Sequence, residues 1–197
     1  MRKGEKTRRE IIRKAAPIFN QRGYEGAALS DLMEATGLEK GGIYRHFESK
    51  EQLAAEAFDY AWRETLEARI HDLAKIPNAV DRLKQLVANF AERRGIIRGG
   101  CPLLNTAVDT DDGNTILLER ARKALRSLRG YIVLAVSAGE KAREIRRGID
   151  AEKVATVMIA TLEGAIMLAR LDRSDKALRS VQAHLEHYLE TEVRLAF

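Results

Sequence analysis

Apolar residues in this chain recur every three or four positions, the spacing of helices that bury one face. The first such stripe consists of Ile11, Ile12, Ala15, Ile18 and Phe19, and similar stripes follow to the end of the chain. Runs that alternate apolar and polar residues, typical of strands, are not prominent. The spacing predicts helices over 7–23, 29–36, 39–47, 49–75, 79–97, 103–108, 115–138, 151–171 and 174–195. An all-α protein is therefore expected.

Two capping boxes, in which two side chains satisfy backbone donors reciprocally, mark predicted helix starts. Thr7 with Glu10 is expected to open the first helix, and Ser49 with Gln52 the long helix that follows residue 47. Pro17 lies inside the first predicted helix, where a missing N–H removes one hydrogen bond. The first helix is therefore expected to bend at Pro17.

A short helix, a tight turn and a second short helix are predicted over 29–47. Gly37 breaks the pattern, because a residue without a Cβ turns the chain at low cost. Two short helices joined by such a turn form a helix-turn-helix, whose second helix can enter the major groove of DNA. Gly41 and Gly42 near its start would allow close approach to DNA. Side chains that can donate to phosphates or bases end this helix: Tyr44, Arg45 and His46.

The residues around this motif resemble the TetR family of bacterial transcriptional regulators. The match runs over 7–53, TRREIIRKAAPIFNQRGYEGAALSDLMEATGLEKGGIYRHFESKEQL, and the part from Gly37 to Leu53 is highly specific. The resemblance implies a three-helix helix-turn-helix DNA-binding domain at 1–50 and a larger helical ligand-binding and dimerisation domain at 51–197. Ala28 and Gly42 depart from the family pattern, which generally has Thr at the first position and often Thr at the second.

The resemblance also implies which residues contact DNA. Base contacts would come from Lys40, Gly41, Gly42, Tyr44 and Arg45. Phosphates would be held by Tyr44, His46 and Lys50, with Thr7, Arg8 and Ala28 near the DNA backbone. Lys40 is the best candidate for a base contact, because lysine donates to guanine O6 and N7 in the major groove. Core packing is the alternative for Tyr44.

Charge and composition agree with an anionic partner. The net charge is +5, and the first 22 residues hold eight Lys or Arg and two Glu, a net +6 beside the motif. The hydrophobic fraction of 45% fits a folded helical protein. Cys101 is the single cysteine, which excludes an internal disulfide and fits a reducing compartment. No apolar run is expected to reach the roughly 20 residues that span a membrane. The N-terminus also lacks the apolar core of a signal peptide. A cytoplasmic protein without a membrane partner is expected.

The last two predicted helices are expected to form a dimer interface. Helix 151–171 is apolar on most of its surface, so it must be buried on more than one side. Its surplus small residues suggest close contact with a second copy: Ala160, Gly164, Ala165 and Ala169. Packing within one chain is the alternative. A two-fold homodimer would present two recognition helices to a palindromic operator in double-stranded DNA.

The larger domain is expected to hold an effector. Candidate lining residues, taken from helix faces and family layout, are Trp62, Leu66, Phe90, Cys101, Asn105, Leu125 and Met167. Ordinary core packing is the alternative for each. This mostly apolar set would suit a small hydrophobic or aromatic effector. Cys101 would sense oxidants or electrophiles if its pKa were lowered, although a thiol among apolar residues is more often inert.

Enzyme chemistry is not expected. The four histidines form no metal-spaced set with cysteine, and a weak site from His184, His187 and Glu190 is the nearest approach. No phosphate-binding glycine loop or nucleophile elbow is present. No catalytic residue, metal or cofactor is therefore predicted. The prediction is a ligand-responsive dimeric repressor that a small effector releases from its operator. The alternative is a helical small-molecule binding protein without operator-specific DNA binding.

Overall fold

The structure, a computed structural model, describes residues 3–93, 96–110 and 113–196. Its helices are α1 Lys3–Gly26, α2 Leu29–Thr36, α3 Lys40–Tyr44, α4 Lys50–Ile70, α5 Ala79–Glu92, α6 Pro102–Asp109, α7 Thr115–Lys141, α8 Ala151–Leu171 and α9 Lys176–Tyr188. A 3₁₀ turn, Leu73–Lys75, and a π turn, Leu189–Val193, follow α4 and α9. Within these residues, extended pairing is limited to one bridge between Ile145 and Arg194. The all-α prediction is confirmed.

The predicted start of the first helix is wrong. α1 already includes Lys3, and Thr7 lies inside it, where its hydroxyl donates to the Lys3 carbonyl at 3.2 Å. Glu10 accepts hydrogen bonds from Arg13 instead of closing a capping box. Lysine and glutamate are good helix formers, so residues upstream of Thr7 extend the helix beyond the predicted cap.

The backbone of α1 departs from helical angles at Gly23 rather than at Pro17. Gly23 has φ 72° and ψ 176°, which a residue with a Cβ rarely adopts. A Cβ at Gly23 would also collide with the carboxylate of Asp109. That carboxylate accepts a hydrogen bond of 2.8 Å from the Tyr24 amide. The chain therefore turns at Gly23 because glycine alone fits both the angle and the contact.

Cα packing divides the chain into two units that differ from the predicted domain ranges. The first packing unit is Met1–Thr65 with Gly95–Ala124, and the second is Leu66–Arg94 with Leu125–Phe197. The functional division at residue 50 remains a prediction. In the first unit, α1 packs on α2, and the shared core is apolar: Ile11, Ala15, Leu32, Ile43, Phe47, Leu53 and Ala57.

Helix α6 is fastened to α1 within the first packing unit. The Asn20 amide donates to the carbonyls of Arg98 at 2.9 Å and Gly100 at 3.1 Å. The side-chain amide of Asn105 donates in turn to the backbone carbonyls of Asn20 at 2.9 Å and Gly99 at 2.8 Å. A Cβ at Gly99, which has φ 112°, would lie 2.6 Å from the Asn20 carbonyl oxygen. This junction is therefore both polar and tightly packed.

The second packing unit is a bundle in which α8 and α9 pack on each other and on α5. Asn78 caps α5 as predicted, accepting from the amides of Val80 and Asp81. The core residues are Leu83, Leu86, Val87, Phe90, Val154, Met158, Leu162, Leu178 and Leu185. Ala165 and Ala169 are also buried within this chain. Two of the four small residues assigned to a dimer interface therefore pack internally.

Helix α8 corrects one expectation from the sequence. By length and composition, it is apolar enough to cross a membrane, whereas no such run was expected. In this chain, 44% of that stretch is buried. A core helix passes the same test, so this match is weak evidence for a membrane segment.

Candidate nucleic-acid interface

The turn between α2 and α3 has the predicted glycine geometry. Gly37 adopts left-handed angles, φ 69° and ψ 23°, and its amide donates to the Met33 carbonyl at 2.8 Å. α3 begins after Glu39 and contains five residues, so it is shorter than the predicted 39–47. Ile43 is the buried residue of α3 and joins the core of the first packing unit. The rest of α3 is left at or near the surface.

The surface of α3 carries few side chains. Lys40 and Gly41 are exposed, and Gly42 and Tyr44 are half-buried. A Cβ at Gly41 would meet no other atom within 4 Å, and one at Gly42 would make ordinary contact with Leu38 at 3.4 Å. A Cβ would therefore fit at both glycines. Lys40 is consequently the long donor side chain on the first turn of α3, and its contact with a base edge stays a prediction.

Arg8 ties three elements of the first packing unit together. Its guanidinium pairs with the Glu56 carboxylate of α4 and lies over the Phe47 ring at 4.7 Å. It also donates to the His46 carbonyl at 3.4 Å. Since Glu56 balances its charge, this geometry gives Arg8 a positioning role beside the predicted contact with the DNA backbone.

Lys50 lies at the start of α4, where its ammonium group is 4.6 Å from the centre of the Tyr24 ring. Burial raises the pKa of the Tyr24 phenol, and the nearby Glu51 carboxylate raises it further. Ser49 caps α4 as predicted by accepting from the Gln52 amide at 3.1 Å. The Gln52 side chain accepts from the amide of Glu48 at 2.7 Å. The start of α4 is therefore fixed where Lys50 is expected to meet a phosphate.

Ala28 is exposed at the N-terminus of α2 and has no side-chain oxygen to cap that helix. Its amide donates to the Asp31 carboxylate at 3.0 Å, and the same carboxylate forms an ion pair with Arg22. Sequence reasoning gave Arg22 no role in the site. No local pattern shows that residues nine positions apart on two different helices would pair.

Of the other predicted DNA contacts, Arg45 is exposed, while Thr7 and His46 are half-buried. All ten residues that the sequence predicts to contact DNA belong to the first packing unit. Their contacts with DNA stay predictions.

The seven effector candidates are spread over both packing units. Trp62, Cys101 and Asn105 belong to the first, and Leu66, Phe90, Leu125 and Met167 to the second. Trp62, Phe90 and Cys101 are buried, whereas Met167 is 49% exposed in the single chain. Asn105 takes part in the α1–α6 junction. The lining role of each residue stays a prediction.

A buried ion pair in the second packing unit was missed by sequence reasoning. Arg69 of α4 and Glu163 of α8 are both buried, with a nitrogen–oxygen distance of 3.3 Å. The guanidinium carbon of Arg69 lies 3.7 Å from the centre of the Phe90 ring. The side-chain amide of Asn89 donates to the backbone carbonyl of Arg69 at 2.8 Å. The only signal in the sequence is Glu163, a carboxylate in the mostly apolar middle of α8.

No group of three or more His, Cys, Asp or Glu side chains that could hold a metal ion occurs among residues 3–93, 96–110 and 113–196. His184, His187 and Glu190 therefore do not assemble into a metal site there. Glu190 instead binds Lys84 and Arg194.

Two short helices joined by a glycine turn, with the second helix largely exposed, have the arrangement of a helix-turn-helix, the motif that places its second helix in the major groove of DNA. Comparison with known families agrees. A family model described as bacterial regulatory proteins, tetR family, matches residues 11–57, and one described as tetracyclin repressor-like, C-terminal domain, matches residues 79–185. The chain belongs to the TetR family of bacterial transcriptional regulators, as its sequence predicted.

Similar proteins cover nearly the whole chain. A TetR transcriptional regulator from Chloroflexus aurantiacus J-10-FL is 46% identical, with a TM-score of 0.95 and full coverage of both chains. A TetR-family regulator from Cytophaga hutchinsonii is 33% identical, with a TM-score of 0.93, and covers 100% of this chain and 99% of its own. The transcriptional repressor DhaR of Mycobacterium sp. strain GP1 is 29% identical over 87% of this chain and 86% of its own. The chain is a ligand-responsive DNA-binding transcriptional regulator.

Proposed function

We propose that this protein is a homodimeric repressor that binds a palindromic operator through two copies of α3 and is released by a small effector. The observation that carries the proposal is the exposed face of α3, on which Lys40 stands beside two glycines. A major groove admits a helix of this kind, and a two-fold dimer presents two of them. In this proposal Lys40, Tyr44 and Arg45 read bases, with Gly41 and Gly42 allowing close approach.

The phosphate contacts in this proposal come from residues around α3. Thr7, Arg8 and Ala28 lie near the DNA backbone, and Tyr44, His46 and Lys50 hold phosphates. The net charge of +6 in residues 1–22 supports electrostatic attraction to DNA, which weakens as the salt concentration rises.

The dimer interface is proposed to form from α8 and α9. Positions 160, 164, 168 and 171 lie on one face of α8, and Leu168 and Leu171 are exposed apolar residues there. A Cβ at Gly164 would meet no other atom within 4 Å, so a neighbouring helix has room to approach. A contiguous apolar face of this kind is typical of an interaction site. A second copy of α8 would cover it.

An effector with a small apolar or aromatic body is proposed for the helical region beyond residue 50. The candidate residues stay Trp62, Leu66, Phe90, Cys101, Asn105, Leu125 and Met167. Most of them are apolar, which supports an effector that buries its surface. Binding that favours a different spacing of the two α3 helices would couple effector and operator.

No catalysis is proposed, since the named relatives are transcriptional regulators. A regulator that binds chromosomal DNA would act in the cytoplasm, without a membrane partner. The second candidate, a small-molecule binding protein that no longer reads an operator, is favoured by one observation. Ala28, Gly41 and Gly42 leave three positions near DNA without a donor side chain.

Selection of binding sites from random duplex DNA tests the proposal. The expected product is one inverted repeat whose half-sites lie about one helical turn, roughly 34 Å, apart. Recovery of unrelated sequences, with a folded dimer, would favour the second candidate. The effector is then sought among small aromatic and aliphatic compounds by their ability to release the protein from the selected site.

Sedimentation of two variants tests the interface. Leu171→Glu should yield monomers, because it places a charge on the proposed apolar face. Leu134→Glu on α7 is the matched control, since Leu134 is 72% exposed and Leu171 is 74% exposed. Dimers in both variants would assign the interface to another surface.

A further inference from the structure

Arg22 is held at the first turn of α2 by a specific ion pair. It is the last residue of α1 before the break at Gly23, and its guanidinium pairs with the Asp31 carboxylate. The side chain of Arg22 is 55% exposed. The Asp31 oxygen that binds Arg22 also accepts from the Ala28 amide at 3.0 Å. One carboxylate thus fixes both the start of α2 and the position of Arg22.

Asp31 creates a charge problem for a DNA-binding surface. In a helix-turn-helix, the first helix crosses the DNA backbone, so the start of α2 is expected to face phosphates. A carboxylate there repels a phosphate unless a cation balances it. Ala28 cannot help, because it has no side-chain donor. Arg22 is the cation that the structure pairs with this carboxylate.

We propose that Arg22 is a DNA phosphate-binding residue, positioned by Asp31. A guanidinium carries five N–H donors in a planar fork, so donors remain free to bind elsewhere when a single carboxylate is bound. The planar fork also matches the geometry of a phosphate group. Arg22 therefore neutralises Asp31 and donates to the DNA backbone from the same place. This inference rests on the proposed docking of α2 and α3 on DNA.

Arg13 supplies a matched control on the same helix. It is 57% exposed and pairs with a carboxylate, that of Glu10, much as Arg22 pairs with Asp31. The two arginines are nine residues apart, which places them on opposite faces of α1, about 180° apart in helical phase. Replacing either by glutamine removes one positive charge. An effect of total charge alone would therefore be the same in both variants.

Fluorescence anisotropy of the full-length protein with labelled operator and random duplex, over a range of salt concentrations, tests the proposal. Arg22→Gln should weaken binding to both duplexes by about tenfold at low salt and reduce the slope of log K against log salt by about one. Arg13→Gln should change affinity and slope much less, because its charge lies on the opposite face of α1. Arg22→Lys should keep most of the slope, because a phosphate attracts either cation.

The double variant Arg22→Gln with Asp31→Asn separates charge balance from folding. It should bind DNA more tightly than Arg22→Gln alone, because no uncompensated carboxylate faces the phosphate. Equal binding by these two variants would overturn the proposal. So would an Arg22→Gln protein with wild-type affinity, or one with weaker binding and an unchanged slope, which would show that Arg22 only holds α2.

Lys40→Ala distinguishes these failures from failure of the proposed function. If the wild type prefers operator over random duplex and Lys40→Ala removes that preference, the docking surface stands whatever Arg22 does. A wild type with no preference contradicts the proposed function and the Arg22 assignment together. Thermal unfolding of each variant excludes loss of fold as the cause.

Discussion

The two packing units use charged residues in opposite surroundings. Around α2 and α3 the charges lie at the surface, where Arg22 meets Asp31 within reach of water. In the second unit Arg69 meets Glu163 inside an apolar core, against the Phe90 ring. Exposed ion pairs typically contribute about 0–1 kcal/mol to stability. A buried charge that loses its partner costs several times more.

This difference indicates what each set of charges can do. Surface charges at α2 and α3 cost little to maintain and are accessible to DNA, so their substitution should change binding more than folding. The pair Arg69–Glu163 is out of contact with water, so its substitution should change folding first.

The largest effect is expected from breaking the buried pair. Glu163→Leu removes the carboxylate that pairs with the buried Arg69 guanidinium and should lower the free energy of unfolding by about 3–5 kcal/mol. Urea denaturation measures this change. Arg69→Met combined with Glu163→Leu should recover most of the loss, because packed apolar side chains can replace a buried pair. A Glu163→Leu variant with wild-type stability would show that the pair is not buried in solution.

The next effect is expected at the α1–α6 junction. Gly99→Ala should lower the free energy of unfolding by about 1–3 kcal/mol, because alanine is strained at φ 112° and its Cβ meets the Asn20 carbonyl. Gly130→Ala is the control. A Cβ at Gly130, inside α7, meets no atom within 4 Å, so alanine there should be neutral or stabilising by up to about 1 kcal/mol. Equal effects at both glycines would contradict the tight junction.

The smallest effect is expected at an exposed pair of the second unit. The Lys84 hydrogen bond lowers the pKa of Glu190, with a further contribution from Arg194. Because the pKa of Glu190 is lower in the folded protein than its ordinary value of 4.5, the ionised carboxylate stabilises the fold at pH values above 4.5. This stabilisation is lost as the pH falls through the folded-state pKa. Glu190→Gln should therefore cost less than about 1 kcal/mol at pH 7 and less still at pH 3. Urea denaturation of both proteins at the two pH values measures the difference; a cost that grows in acid would reverse the assigned sign.

The sequence predicted the elements whose signals are local. α2 and α8 have the predicted bounds, because Gly37 ends the first and Asp150 caps the second by accepting from the Lys153 amide. The start of α1 was predicted four residues too late. The good helix formers upstream of Thr7 extend the helix to Lys3, so Thr7 does not act as its cap.

The partners of the charged residues could not be predicted in the same way. Arg8 and Glu56 are 48 residues apart, and Arg69 and Glu163 are 94 apart. Which arginine meets which carboxylate depends on how helices pack, and periodicity gives faces rather than partners. For the same reason the family motif indicated Lys40 and Lys50, while the pairing of Arg22 needed the structure.

The most direct test of the account is the preference of the wild type and Lys40→Ala for the selected operator over a scrambled duplex of equal length. Lys40→Ala should lose about 1–3 kcal/mol of discrimination, roughly five- to 150-fold, with unchanged thermal unfolding. Lys141→Ala at the end of α7 removes the same charge from an exposed site of the second unit, away from α8 and α9, and should keep the full preference. Undiminished discrimination by Lys40→Ala would contradict the assignment of α3 as the helix that reads DNA.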